Sequence, residues 1–140
     1  MAVHEQFEVN IPSTMEAGQA LQERILAVIE ALEAYAGHSA FGIRLALDEA
    51  IVNAIKHGNA FHPEKTVRVN CLISDELFRC EIEDQGPGFC LADVPDPTED
   101  ENLDRPCGRG IMLMRSFMSK IEYNASGNKV LLEKIPGTKN

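Results

Sequence analysis

Three short polar segments of the sequence hold the residue types that could do chemistry. In the first, Glu49 and Asn53 lie four residues apart, and Lys56 or His57 follows three or four residues later. At this spacing the side chains share one face of an α-helix, where a carboxylate and an amide can meet a ligand. A solvated helix face produces the same pattern. Asparagine is a mediocre helix former, so its place inside a helical pattern favours the functional interpretation.

The second and third segments are rich in glycine. In the second, Asp84 ends a predicted strand and is followed by Gly86 and Gly88. A carboxylate at a strand end can accept a hydrogen bond from an exocyclic amine, and glycines let the backbone approach a ring or a phosphate. A simple Asp-Gly turn is the alternative. In the third, Gly108 and Gly110 open a helical pattern, which indicates either a phosphate site at a helix N-terminus or a plain helix start.

Two amphipathic helices are predicted in the first part of the chain. Ser13 and Glu16 form a capping box, and apolar residues then recur at helical spacing until Gly37. A second helical pattern covers residues 39–57 and carries the first polar segment. Gly58 stands where a left-handed C-terminal cap belongs.

Alternating apolar residues predict five strands that frame these helices. The strands cover residues 7–11, 67–73, 77–83, 120–123 and 129–134, and residues 108–117 form a third helix. Antiparallel hairpins with helices between them predict one α+β domain over residues 1–140, a two-layer sandwich with a mixed, mostly antiparallel sheet of about five strands and three helices on one face. An uncovered face or edge of that sheet is a natural place for a second subunit to dock.

The long segment 91–107 differs from the rest of the chain. It holds three prolines and six acidic residues and has almost no periodic apolar pattern. A loop of this length inside a domain is usually functional, so we expect a lid.

The composition of the chain disfavours several classes of protein. Twenty-two acidic against thirteen basic residues give a net charge of -9, which disfavours direct binding of nucleic acid. The four cysteines lack zinc-ligand spacing and indicate free thiols in a reduced compartment. The sequence has neither a long apolar run nor a signal-peptide pattern. We therefore expect a cytoplasmic protein that does not enter a membrane.

Taken in order, the three segments resemble the motifs of a known superfamily. The stretch DEAIVNAIKHG at residues 48–58 resembles the asparagine box of the histidine-kinase-like ATPases, and the two glycine segments resemble their glycine boxes. The residue sequence of the first box is most similar to that of the anti-sigma-factor serine kinases. The resemblance covers nearly the whole chain and implies the Bergerat ATP-binding fold, with ATP and Mg²⁺ as cofactors.

The resemblance also implies a role for each motif residue. Asn53 would be the oxygen ligand of Mg²⁺, Glu49 the general base toward an attacking serine hydroxyl, and Asp84 the partner of the adenine amino group. Arg105 and Arg109 would offset phosphate charge, or else be solvated or paired with acids. The glycines implied to line the nucleotide are Gly86 and Gly88 beside the adenine and ribose, and Gly108 and Gly110 at the phosphates.

Two functions remain in competition at this stage. The resemblance implies a homodimeric serine/threonine protein kinase that holds a sigma factor and phosphorylates an anti-sigma-factor antagonist protein. The alternative is an ATP-shaped module that sequesters a partner with little or no phosphoryl transfer. The presence of Glu49 favours the kinase, whereas the absence of a lysine between Leu91 and Arg105 departs from the expected lid. An ATP-hydrolysing response domain is less well supported.

Overall fold

The described part of the chain folds as an antiparallel sheet with helices packed on one face. The computed structural model describes residues 2–86 and 117–137. In chain order the elements are β1 (Val3–Pro12), α1 (Met15–Glu30), a 3₁₀ turn (Glu33–Tyr35), α2 (His38–Val52), a π-helical segment (Asn53–Gly58), β2 (Thr66–Ser74), β3 (Phe78–Glu83), β4 (Lys120–Tyr123) and β5 (Lys129–Lys134). This arrangement confirms the predicted α+β class and the five strands.

The strands are ordered β1-β2-β3-β5-β4 in one sheet. Each neighbouring pair of strands is antiparallel. The described sheet is therefore purely antiparallel, whereas the sequence predicted a mixed, mostly antiparallel sheet. Both predicted hairpins are present, and Gly127 adopts a φ of 75° in the second. Cys71 lies opposite Cys80 in the register of β2 and β3, and both are buried free thiols.

One face of the sheet forms the core with α1 and α2. Fully buried side chains from the helices, such as Ile25 and Leu47, belong to the same hydrophobic cluster as Val67 and Val69 of β2. The other face carries ion pairs between exposed or half-buried side chains, including Arg68 with Glu8 and Lys129 with Glu81. That face is therefore open within the described chain, as the sequence indicated, and it is polar.

The start of α1 differs from the predicted capping box. Thr14 is the N-cap, and its hydroxyl accepts a hydrogen bond of 3.1 Å from the backbone N–H of Ala17. Ser13 is 3% exposed and its hydroxyl instead donates to the carbonyl of Lys65 at 2.6 Å. The inward position of Ser13 explains the shift, because a buried hydroxyl must find a buried partner.

The C-terminal ends of both helices also differ from the prediction. α1 ends at Glu30, and a 3₁₀ turn occupies part of the segment up to Gly37. The second helix does not remain α-helical to His57, because it widens into the π segment at Asn53. The backbone turns left-handed at Ala60 and Phe61, with φ of 50° and 57°, and not at Gly58.

Two predicted features lie outside the described residues, namely the lid at 91–107 and nearly all of the third helix at 108–117. Within residues 2–86 and 117–137, the helices are too short or too polar to serve as a membrane span.

Gly18 lets α1 pack closely against the second helix. A methyl group added there would lie 2.7 Å from Ile55 Cδ1 and 2.8 Å from Ile51 Cγ2. We expect Gly18→Ala to lower the free energy of unfolding by about 1–3 kcal/mol, measured by urea denaturation, although alanine is the better helix former.

The matched control is Ile55→Val, which removes the nearest clashing atom. In the double mutant part of the loss should be recovered, so the two changes should be non-additive. If the changes in the free energy of unfolding are simply additive, Gly18 and Ile55 are not as close as described.

Candidate functional site

The first polar segment ends at the point where the second helix changes its winding. Asn53 opens the π segment, and its backbone N–H is shared between the carbonyls of Glu49 and Ala50. The N–H of Asn59 then reaches back to the carbonyl of Ala54 at 2.8 Å. Such π turns are uncommon and occur frequently at functional sites.

The Asn53 side chain is buried with part of its amide unpaired. The residue is 8% exposed, and its Nδ2 has no hydrogen-bond partner within the described part of the chain. A buried amide normally has its partners, so this one is free to meet a ligand. Rotation of the amide about χ2 can present either its oxygen or its nitrogen.

Glu49 lies one helical turn before Asn53 and is half-buried. Burial raises the pKa of its carboxyl above the usual value, and the negative charge of the neighbouring Asp48 raises it further. A carboxylate with a raised pKa is a better proton acceptor than an ordinary surface glutamate. Lys56 and His57, which the sequence placed on the same stripe, are exposed.

Asp84 follows β3 and is almost buried, at 8% exposure. Its Oδ1 accepts a hydrogen bond of 2.8 Å from the backbone N–H of Gly86, and its own N–H donates to the carbonyl of Asn128 at 2.9 Å. Burial raises the pKa of Asp84, while the Gly86 N–H acts in the opposite direction. The carboxylate is thus held in a fixed orientation in a partly desolvated position.

The two segments meet through glycine. A methyl group on Gly58 would lie 2.6 Å from Asp84 Oδ1, and one on Gly86 would collide with the carbonyl oxygen of Gly58. This contact explains why position 58 is glycine although its φ is not left-handed: the Asp84 carboxylate occupies the space of a side chain. The end of the π segment therefore lies directly against the turn at residues 84–86.

Sequence reasoning assigned no role to Asn59. The residue is 1% exposed, and its side chain bonds to three segments of the chain. Its Oδ1 accepts from the N–H of Gln85 at 2.7 Å, and its Nδ2 donates to Ser13 Oγ at 2.9 Å and to the Thr66 carbonyl at 3.0 Å. The only local signal was an asparagine directly after Gly58, a residue type that readily bonds to backbone groups.

The structure thus places Glu49, Asn53, Asp84 and Gly86 on two elements that are joined at Gly58. The other predicted site residues lie outside the described residues: Gly88, Arg105, Gly108, Arg109 and Gly110.

Comparison with known proteins gives the class of this domain. Residues 11–134 match the family model described as a histidine kinase-like ATPase domain. Such a domain is an ATP-binding domain, in agreement with the resemblance of the motifs.

Curated relatives identify the family within this superfamily. Proteins named Anti-sigma F factor are 32% identical over 83 residues in Bacillus cytotoxicus, 26% over 91 residues in Oceanobacillus iheyensis and 31% over 102 residues in Clostridium perfringens. These matches cover 57%, 62% and 69% of this chain. The chain spans 56% and 61% of the first two relatives and 72% of the clostridial one. It therefore belongs to the histidine kinase-like ATPase superfamily and, within it, to the family of the proteins named Anti-sigma F factor.

The contact between Gly58 and Asp84 can be tested without a ligand. Gly58→Ala should lower the free energy of unfolding by about 1–3 kcal/mol, because its new methyl group collides with the Asp84 carboxylate. Thermal or urea denaturation measures the loss.

The matched control is Asp84→Ala in the same background, because it removes the three atoms nearest to the new methyl group. The double mutant should be more stable than the sum of the single changes predicts. If the loss of stability in the double mutant equals the sum of the losses in the two single mutants, the two residues are not in contact.

Proposed function

We propose that this chain is a Mg²⁺-ATP-dependent serine/threonine protein kinase that acts as an anti-sigma regulatory factor. The observation that carries the proposal is the direct contact between the end of the helix that bears Glu49 and Asn53 and the turn that bears Asp84. A base, a buried amide and an oriented carboxylate are then held on one rigid unit. The proposal takes residues 1–140 as a single ATPase domain.

Asn53 is the residue proposed to hold Mg²⁺. The residue is buried, its amide nitrogen has no partner among the described residues, and its amide oxygen is of the type that a hard cation prefers. Magnesium held there would supply positive charge that offsets the negative charge of the nucleotide phosphates. The fit rests on this donor, since residues 2–86 and 117–137 contain no group of three or more histidine, cysteine or acidic residues that could hold a metal ion.

Asp84 is proposed to select the base of the nucleotide. Its ionised carboxylate accepts a hydrogen bond from the 6-amino group of adenine, and its bond from Gly86 fixes its orientation. Family membership supports the roles of the remaining motif residues. Gly86 and Gly88 would lie beside the adenine and ribose, Gly108 and Gly110 would donate backbone N–H groups to the phosphates, and Arg105 and Arg109 would offset their charge.

Glu49 is proposed to be the general base. It takes the proton of the acceptor serine hydroxyl as that oxygen attacks the γ-phosphorus. The bond from the γ-phosphorus to its bridging oxygen breaks, and ADP leaves with the electron pair. The raised pKa of Glu49 brings its basicity closer to the operating pH.

The partners are proposed from the relatives. Because the relatives are named Anti-sigma F factor, we assign a sigma factor as the protein that is bound. The resemblance to the anti-sigma-factor serine kinases supports an antagonist of the anti-sigma factor as the phosphoryl acceptor. A homodimer in the cytoplasm completes the proposal. The net charge of -9 is consistent with partners that are proteins and not nucleic acids.

Phosphoryl transfer tests the role of Glu49. The wild type and Glu49→Gln are incubated with labelled Mg-ATP and candidate antagonist proteins from the same organism. We expect similar ATP affinities and a transfer rate that is about 10²–10⁴-fold lower in Glu49→Gln, because glutamine cannot accept the proton. Transfer at the same rate by both proteins would remove Glu49 from the mechanism, and ATP binding without transfer by either would support a sequestering module.

The pH dependence of transfer gives a second test. Since only ionised Glu49 acts as a base, the rate should fall as the pH drops through its pKa, which lies above the ordinary glutamate value. Asp48→Asn removes the nearby negative charge, so the pKa of Glu49 falls and the acid limb moves to lower pH. The control Asp75→Asn changes an exposed acid just beyond the far end of β2 and should leave the limb in place. A shift of the Asp48→Asn profile to higher pH would contradict this assignment.

A further inference from the structure

Asn59 joins the π segment to the turn at residues 84–86. We infer that it is a positioning residue, which sets the Asp84 carboxylate at the distance from the helix end that recognition of adenine requires. The inference rests on the proposed function of Asp84 as the partner of the 6-amino group. It assigns to Asn59 no contact with the nucleotide itself.

The hydrogen bonds of Asn59 fix the orientation of its amide. The N–H of Gln85 can only donate, so the atom that faces it at 2.7 Å must be Oδ1. The carbonyl of Thr66 can only accept, so the atom that faces it at 3.0 Å must be Nδ2. Ser13 donates its hydroxyl hydrogen to Lys65 and is left to accept the second N–H of Asn59. Both amide hydrogens are therefore used within the protein.

The turn is held from two sides. Its first N–H, from Asp84, donates to Asn128 in the β4-β5 hairpin, and its third, from Gly86, donates back to the Asp84 carboxylate. The second N–H, from Gln85, is the one that reaches the helix side, and it does so through Asn59. The Gln85 side chain adds a bond of 2.6 Å from the N–H of Thr66.

Burial makes this link strong. Asn59 is 1% exposed, its bond to Ser13 is buried, and its bonds to Gln85 and Thr66 are partly buried, so water cannot freely take the place of its amide. Loss of the side chain would leave the N–H of Gln85 and the carbonyl of Thr66 without this partner. The turn would then remain tied to Asn128 but would lose a direct tether to the helix, and the Asp84 carboxylate would shift or sample several positions.

The test compares two nucleotides that differ by one group. Purine riboside triphosphate lacks the 6-amino group of ATP and keeps the same triphosphate. The affinities of both, with Mg²⁺, are measured by calorimetry for the wild type, Asn59→Ala and Ser13→Ala. Ser13→Ala removes one hydrogen bond of the same amide without touching the bond to Gln85, so it is the matched control.

We expect the wild type to prefer ATP and Asn59→Ala to reduce that preference about tenfold, mainly through weaker ATP binding. Ser13→Ala should keep the wild-type preference while losing thermal stability. If Asn59→Ala does not fold, Asn59→Ser replaces it, because serine is polar but too short to reach Gln85, and the same fall is expected.

Four results would overturn the inference. An Asn59 variant that folds and keeps the wild-type preference would show that the residue does not position Asp84. Equal losses of preference in Asn59→Ala and Ser13→Ala would indicate a general structural effect. A wild type that binds ATP without preferring it would remove the role of Asp84, and a wild type that binds neither nucleotide would overturn the proposed function as well.

Discussion

The closeness of two backbone segments controls the rest of this structure. No side chain separates the end of the π segment from the turn at residues 84–86, because both contact positions are glycine. A larger residue at Gly58 or Gly86 would push apart the helix and the strand end that carry the candidate site. The same contact buries Asp84 and thereby raises its pKa. Position and electrostatics therefore share one cause.

The site is costly to the fold, and the surrounding structure compensates. Asn53 is buried with an unpaired amide nitrogen among the described residues, and Asp84 is an acid in a partly desolvated position. Neither feature stabilises the folded chain, which is typical of residues kept for function. The side chain of Asn59 supplies three hydrogen bonds at the same place, and the Asp84 turn gains two more from its own N–H groups. The π segment that begins at Asn53 is thus followed directly by a residue whose amide is fully hydrogen-bonded.

Local patterns were sufficient to predict the sheet, the two long helices and the family. Alternation of apolar residues and helical spacing depend only on which face is buried. Adjacent hydroxyls at Ser13 and Thr14 could not be told apart as N-caps, because burial of one decides the matter. The π segment depends on the tertiary placement of Gly58 and Asn59. Its residue pattern alone therefore predicted an ordinary α-helix. The hydrogen bonds of Asn59 join segments that are distant in the sequence. Such contacts produce no periodic residue pattern from which they could be predicted.

The central claim is that the helix bearing Asn53 and the turn bearing Asp84 converge on one nucleotide. A crystal structure with Mn²⁺ and a non-hydrolysable ATP analogue tests it most directly, because anomalous scattering locates the metal independently of the protein. We expect one manganese peak with the side-chain oxygen of Asn53 as a ligand, and the adenine amino group within hydrogen-bond distance of Asp84. A metal or an adenine ring bound away from either residue would contradict it.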